Sequence, residues 1–144
     1  PDINFKLFVN KSILVTGSSG SIGSEIIKKL KKYTQNITRA DIHGAGFAGN
    51  VDMTKKSSIT KLKKKKFDFI VSRAVARLSK FIPWVENKIH KRSLNPWPNG
   101  ILYLKGGDLQ AELDEVSRTS EIIPISQYFN EEFFETKAVV YVTL

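Results

Sequence analysis

The sequence predicts an α/β fold: an α/β/α sandwich around a mostly parallel sheet. Short apolar runs alternate with segments of helical periodicity, and a glycine-rich turn joins the first run to the first such segment. The far end differs. The last two apolar runs, Glu121–Ile125 and Ala138–Thr143, have about a dozen residues and no crossover helix between them, so they are expected to pair antiparallel.

Ser12–Thr16 (Ser-Ile-Leu-Val-Thr) reads as a buried strand ending at Gly17. Ser21–Tyr33 follows as a helix, with Ile22, Ile26, Ile27 and Leu30 on one face and lysines on the other. Asn36–Ile42 is a weaker second strand, His43–Asn50 a glycine-rich loop, and Val51–Met53 a very short third strand. Nine residues separate Asp41 from Val51, fewer than a parallel crossover usually takes. Either the intervening helix is reduced to a loop, or the third strand is not a proper strand. Thr54–Leu62 is a candidate helix with Thr54 or Ser57 as its cap. Phe67–Val71 is a buried strand, and Leu78–Ile89 a helix whose Pro83 must sit in the first turn or kink it. Asn95–Gly100 is a loop, Ile101–Lys105 a strand that turns out at Gly106-Gly107, and Leu109–Val116 a short helix. No repeat or linker divides the chain, so residues 1–144 read as one Rossmann-like domain. The parallel sheet with an antiparallel terminal hairpin is the arrangement of class I methyltransferases.

The 144 residues are enough to bury roughly two thirds of the unfolded surface. Hydrophobic residues at 41% and charged residues at 26% exclude global disorder. Cysteine is absent, which excludes disulfides, thiolate metal sites and cysteine nucleophiles. His43 and His90 are the only histidines, too few for a histidine metal cage, so no metal is expected. No run approaches the roughly 18 apolar residues of a membrane span, and no signal peptide opens the chain; a cytoplasmic monomer is expected. The net charge of +9 is unevenly spread, with +15 over residues 1–107 and −6 over 108–144. A basic body suits a polyanion such as nucleic acid, or is simply a solubilising lysine face, as Lys63–Lys66 would be.

The clearest motif is Thr16-Gly17-Ser18-Ser19-Gly20-Ser21-Ile22-Gly23, after a strand and opening a helix. Gly17 permits the tight turn, Gly20 the approach of backbone to an anion, and Gly23 close helix–strand packing. The helix N-terminus offers free N–H groups and the positive end of its dipole. The motif favours a nucleotide over an empty glycine turn, with Gly17, Ser18, Gly20, Ile22 and Gly23 as its contacts. Asp41, 18 residues after Gly23, either accepts ribose hydroxyls or is an ordinary strand-end acid. Asp52 and Met53 would meet an adenine ring, unless Asp52 caps the next helix.

Two resemblances follow. Ile13-Leu14-Val15-Thr16-Gly17 with Gly20-Ser21-Ile22-Gly23-Ser24-Glu25, and then Val51-Asp52-Met53-Thr54, resemble extended short-chain dehydrogenases, above all nucleotide-sugar dehydratases and epimerases, over residues 10–71. That implies NAD(P) binding. The family's chemistry uses a Tyr-x-x-x-Lys pair, and none of Tyr33, Tyr103, Tyr128 and Tyr141 has a lysine four residues on. Hydride transfer by that mechanism is therefore not expected of these residues.

Residues 66–144 resemble the glucose-inhibited-division-B family of small-subunit rRNA guanine-N7 methyltransferases. Phe67-Asp68-Phe69-Ile70-Val71-Ser72-Arg73-Ala74-Val75-Ala76 is similar to its fourth strand. Pro98–Leu109 is similar to its fifth strand and turn, and Glu131–Tyr141 to its C-terminal hairpin. The resemblance implies S-adenosylmethionine as cofactor and rRNA as partner. It puts Ser72 and Arg73 against the cofactor, and Arg73, Arg77, Lys105 and Trp97 against RNA. Without it, Arg73 would be read as an ion-pair residue and Lys105 as a surface lysine. Trp97, between two prolines, is the tryptophan expected to be exposed; Trp84 is expected in the core. Guanine N7 carries a free lone pair, so no catalytic base is required and positioning falls to Arg73.

The front half departs from this second pattern: Leu14 and Val15 stand where an acid begins its first motif, and only Gly20 and Gly23 align. The sequence therefore reads as a hybrid, a glycine-loop half over 1–66 joined to a methyltransferase-like half over 67–144. Its expected function is S-adenosylmethionine-dependent rRNA methyl transfer, active or vestigial. The alternatives are a non-catalytic NAD(P)-binding domain and a Rossmann scaffold without activity.

Overall fold

A computed structural model describes residues 5–18, 20–41, 51–52, 62, 65–73 and 76–144. Seven strands form one sheet in the order β3-β2-β1-β4-β5-β7-β6. They are β1 (Ile13–Thr16), β2 (Ile37–Asp41), β3 (Val51–Asp52), β4 (Phe69–Arg73), β5 (Gly100–Gly106), β6 (Ser120–Pro124) and β7 (Lys137–Thr143). Strands β3, β2, β1, β4 and β5 run parallel, while β7 lies antiparallel between β5 and β6. The terminal hairpin thus pairs as expected, with its second strand inserted next to β5.

Alternation along each strand builds two cores. In β1, Ile13 and Val15 join one cluster and Leu14 the other. Helix α1 (Ser21–Leu30) covers the first face through Ile27 and Leu30, together with Phe8, whose ring meets Phe69 edge-on at 5.5 Å. Helices α2 (Leu78–Val85) and α3 (Leu109–Asp114) cover the second. A sheet between two helical layers is the α/β/α sandwich the sequence predicts.

Several boundaries differ from expectation, three of them with a contact at the difference. Helix α1 stops at Leu30, because the Leu30 carbonyl accepts both the Tyr33 N–H at 2.8 Å and the Thr34 N–H at 3.0 Å. The Thr34 hydroxyl then donates to the Lys11 carbonyl, turning the chain into β2. Pro83 sits in the second turn of α2, not the first, and the α-helix ends two residues later in a 3-10 turn over Glu86–Lys88. Asp68 and Phe67 precede β4: Phe67 forms an isolated parallel bridge with Ile89, and the Asp68 carboxylate accepts the Ser12 N–H at 2.9 Å.

Strand β3 has two residues but pairs with β2 in parallel register, Ala40 with Val51 and Asp41 with Asp52. Of the two readings that the short spacing left open, the strand is therefore real. The expected loop His43–Asn50, Met53 and most of the expected helix Thr54–Leu62 lie outside the described residues; Leu62 itself is buried.

Candidate functional site at the switch point of the sheet

The strand order reverses between β1 and β4. From β1 the chain runs outward through β2 and β3, and from β4 it runs the opposite way to β5. Ligands of open α/β sheets bind at the carboxyl ends of the strands on either side of such a reversal. Here those ends are Thr16-Gly17 and Ser72-Arg73. The Thr16 hydroxyl donates to Ser72 Oγ at 2.6 Å, and both residues are buried.

The turn after β1 is built on two glycines. Gly17 takes φ +66°, a left-handed conformation that favours glycine. At Gly23 a β-carbon would lie 2.1 Å from the Gly17 carbonyl oxygen, so only glycine lets α1 approach the turn this closely. Gly20 caps α1 in extended conformation with no side-chain cap, leaving the first N–H groups of the helix for a ligand. Ser18 is fully buried, and its hydroxyl has no hydrogen-bond partner among the described residues. Its N–H donates to the Ala40 carbonyl at 3.2 Å, and its carbonyl accepts from Arg39 at 3.2 Å. The orphaned hydroxyl, the uncapped helix and the tight glycine turn fit an adenosine-containing ligand with an anionic or zwitterionic tail. Asp41 and Asp52 end their strands side by side at the same edge.

The predicted cations separate. Arg73 is exposed at the end of β4, with its Cβ 4.0 Å from the position a side chain at Gly17 would occupy. Arg77 is already engaged: its Nε lies 3.3 Å from Glu115, and a second guanidinium nitrogen pairs with the other carboxylate oxygen. That hydrogen bond raises the Arg77 pKa and, with the Ser79 hydroxyl at 2.8 Å, holds Glu115 below the ordinary glutamate value. Lys105 pairs with Glu112, which is buried, and lies 5.9 Å from the Tyr103 ring centre.

Glu112 is the residue sequence reasoning missed. One of its oxygens accepts Lys105, and the other accepts the Leu78 N–H at 2.6 Å, supplying the cap that Arg77 does not give α2. Tyr103 adds a second tie, donating its hydroxyl to the Ala76 carbonyl. Burial, with the nearby Glu112 charge, pushes the Tyr103 pKa up to about 12. Together they hold Ala76 and Leu78 at the start of α2. No local signal marks a lone glutamate in a short helix as the cap of another helix.

The tryptophans are exchanged relative to expectation. Trp97 is half-buried, its ring 5.0 Å from Tyr141, because the proline loop folds back over the sheet. Trp84 is the exposed one, meeting Phe81 edge-on at 6.3 Å. Ile22, expected at the cofactor, lines a groove with Ile26 and Leu104. Among the described residues there is no cluster of metal-ligating side chains, and no helix is long and apolar enough to cross a membrane.

Fold and site define a Rossmann-like α/β domain with a nucleotide-type turn at its switch point. The model of the NAD dependent epimerase/dehydratase family matches residues 13–89, and the chain belongs to that family. The chain is also similar to curated methyltransferases. It is 54% identical over 78 residues to ribosomal RNA small subunit methyltransferase G of Christiangramia forsetii, covering 54% of this chain and 36% of the relative. It is 51% identical over 78 residues to the protein of the same name from Flavobacterium psychrophilum, covering 54% of this chain and 37% of the relative. The chain thus spans little more than a third of these relatives. A solved structure of a candidate methyltransferase from Thermoplasma acidophilum is 11% identical, with TM-score 0.47, covering 94% of this chain and 67% of the other.

Proposed function

We propose that the chain is the cofactor-binding domain of a cytoplasmic S-adenosylmethionine-dependent methyltransferase acting on guanine N7 of small-subunit rRNA. The observation that carries this reading is the 54% and 51% identity, over 78 residues each, to the curated rRNA methyltransferases. On this reading the halves 1–66 and 67–144 form one domain across the β1–β4 seam.

Gly17, Ser18, Gly20 and Gly23 would hold the cofactor's polar end, and Asp41 and Asp52 its ribose and adenine. The bound cofactor supplies an electrophilic methyl group. Guanine N7 presents a lone pair, so no side chain has to remove a proton. The protein's part is to align N7 and exclude water. Arg73 is the cation placed for that task. Arg77 and Lys105 already have carboxylate partners in Glu115 and Glu112.

The family match over residues 13–89 favours a second reading, an NAD(P)-binding domain without hydride-transfer residues of its own. Calorimetric titration with S-adenosylmethionine and, separately, NAD tests both. Binding of S-adenosylmethionine alone is expected; binding of NAD alone moves the assignment to the second reading. Binding of neither at millimolar ligand overturns both.

A further inference from the structure

A groove of about 620 Å³ opens between α1 and the connection from β6 to β7, and the cofactor readings touch it only at Ile22 and Arg73. It starts at Ser21 and Ile22, beside Arg73 and Lys105, and runs to Phe129, Phe133 and Phe134. A second hollow of about 570 Å³ continues it over the sheet, sharing Ile26, Lys29, Leu104, Ile125 and Phe129. The walls are apolar, and the charges set in them are mostly basic: Lys29, Arg73 and Lys137, with Lys105 held by Glu112, against Glu25, which pairs with Lys28.

The three phenylalanines form one cluster in which Phe129 and Phe133 are exposed and Phe134 is half-buried. Phe129 and Phe134 lie 5.1 Å apart, and Phe133 meets Phe134 edge-on at 5.2 Å. Phe129 is 48% and Phe133 59% exposed, so each presents ring surface to solvent at a hydrophobic cost. Lys137 lies 5.2 Å from the Phe133 ring centre. Exposed rings beside cations are what single-stranded nucleic acid requires: bases stack on the rings and phosphates meet the cations. A duplex does not fit this pattern, because its base faces are already stacked on one another. Glu131, Glu132 and Glu135 bracket Phe133 and Phe134 in sequence, so the phosphates belong on the Lys29–Arg73 flank.

We propose that this groove binds a single-stranded RNA segment, stacking bases on Phe129 and Phe133 and leading the strand past Lys29 to Arg73 at the switch point. The choice of RNA rests on the methyltransferase reading; the groove's chemistry does not.

The test is fluorescence anisotropy with a labelled 12-nucleotide single-stranded RNA and a duplex of the same sequence, with no cofactor present. Wild-type chain is expected to prefer the single strand, with affinity falling as salt rises. Phe129→Ala and Phe133→Ala are each expected to weaken binding about 10-fold at unchanged melting temperature. Lys29→Gln is expected to weaken binding and flatten the salt dependence. The proposal is overturned by alanine variants that bind like wild type, by equal affinity for duplex, or by no binding at all. It is also overturned if wild type dimerises in sedimentation, loses the dimer in the alanine variants and ignores the oligonucleotide, since the groove then receives a second copy of the chain. Strand binding without S-adenosylmethionine binding would sink the methyltransferase reading and leave the groove assignment standing.

Discussion

The Thr16 hydroxyl and the Ser72 hydroxyl are joined by a 2.6 Å hydrogen bond across the seam between β1 and β4, where the strand order reverses. The bond ties the strand that carries the glycine turn to the strand that carries Arg73. It stands with both partners buried, so neither hydroxyl can turn to solvent instead. Ser72→Ala is expected to cost about 1–3 kcal/mol, because the Thr16 hydroxyl is then buried without a partner. Thr16→Val should cost a similar amount. Combining them should cost less than the sum, since no orphaned group remains. Urea unfolding of the three variants measures this, and simple additivity would show that the pair is not coupled.

Gly23→Ala tests the glycine turn. The added carbon meets the Gly17 carbonyl oxygen at 2.1 Å, and a β-carbon cannot rotate away from a backbone carbonyl, so α1 or the turn must move. A loss of about 1–3 kcal/mol or more is expected, with weaker binding of whichever adenosine cofactor the protein takes. Gly20→Ala is the control: its carbon would sit 3.6 Å from the same oxygen, an ordinary contact, and should cost at most about 1 kcal/mol as a poorer cap. Equal effects at the two positions would refute the close-approach argument.

What the sequence made legible was local. The glycine turn could be placed because strand, turn and helix are contiguous and each glycine has a separate geometric job. The antiparallel hairpin followed from its short connection. What stayed hidden depends on contacts between distant segments. Leu78 is capped by Glu112, 34 residues away, and Lys105 is neutralised by the same carboxylate. The periodicity of either segment carries no trace of this. Trp97 was misplaced for a related reason: flanking prolines signal a loop, but not whether the loop folds back onto Tyr141. Trp84 lies on a helix whose other large side chains are buried, and its face of α2 meets no covering layer among the described residues.

Tyr103 predicts an alkaline weakness. Its pKa is raised from 10 in the unfolded chain to about 12 in the fold, by burial first and the Glu112 charge second. Below pH 10 both states hold the proton and the raised pKa costs nothing. Between pH 10 and about 12 the unfolded chain loses the proton while the folded chain keeps it. Stability should therefore fall as pH rises through that window, by at most about 1.4 kcal/mol per pH unit for this one proton. Tyr103→Phe should remove that slope while leaving the lysines' contribution in place. Urea midpoints of both proteins from pH 8 to 11.5 read the difference, and parallel curves would show that Tyr103 titrates normally.

Glu112 should be worth far more to the fold than the ion pair that neighbours it. Arg77 and Glu115 lie in solvent, where water screens the attraction and holding two long side chains costs entropy, so Glu115→Ala should leave the melting temperature nearly unchanged. Glu112 is buried, and its two oxygens meet two different demands. Replacing it with alanine leaves the Leu78 N–H unpaired and the Lys105 ammonium, with little exposure of its own, lacking a counter-charge. A loss of about 3–5 kcal/mol is expected. Glu112→Gln keeps an acceptor for the Leu78 N–H and gives up only the charge, so it should fall between alanine and wild type. That ordering separates capping from ion pairing. If glutamine behaves like alanine, the Lys105 pair dominates; if it behaves like wild type, the α2 cap does. Should alanine itself prove neutral by thermal unfolding, the start of α2 is held by the Tyr103–Ala76 bond and core packing instead, and Glu112 has no part in fixing it.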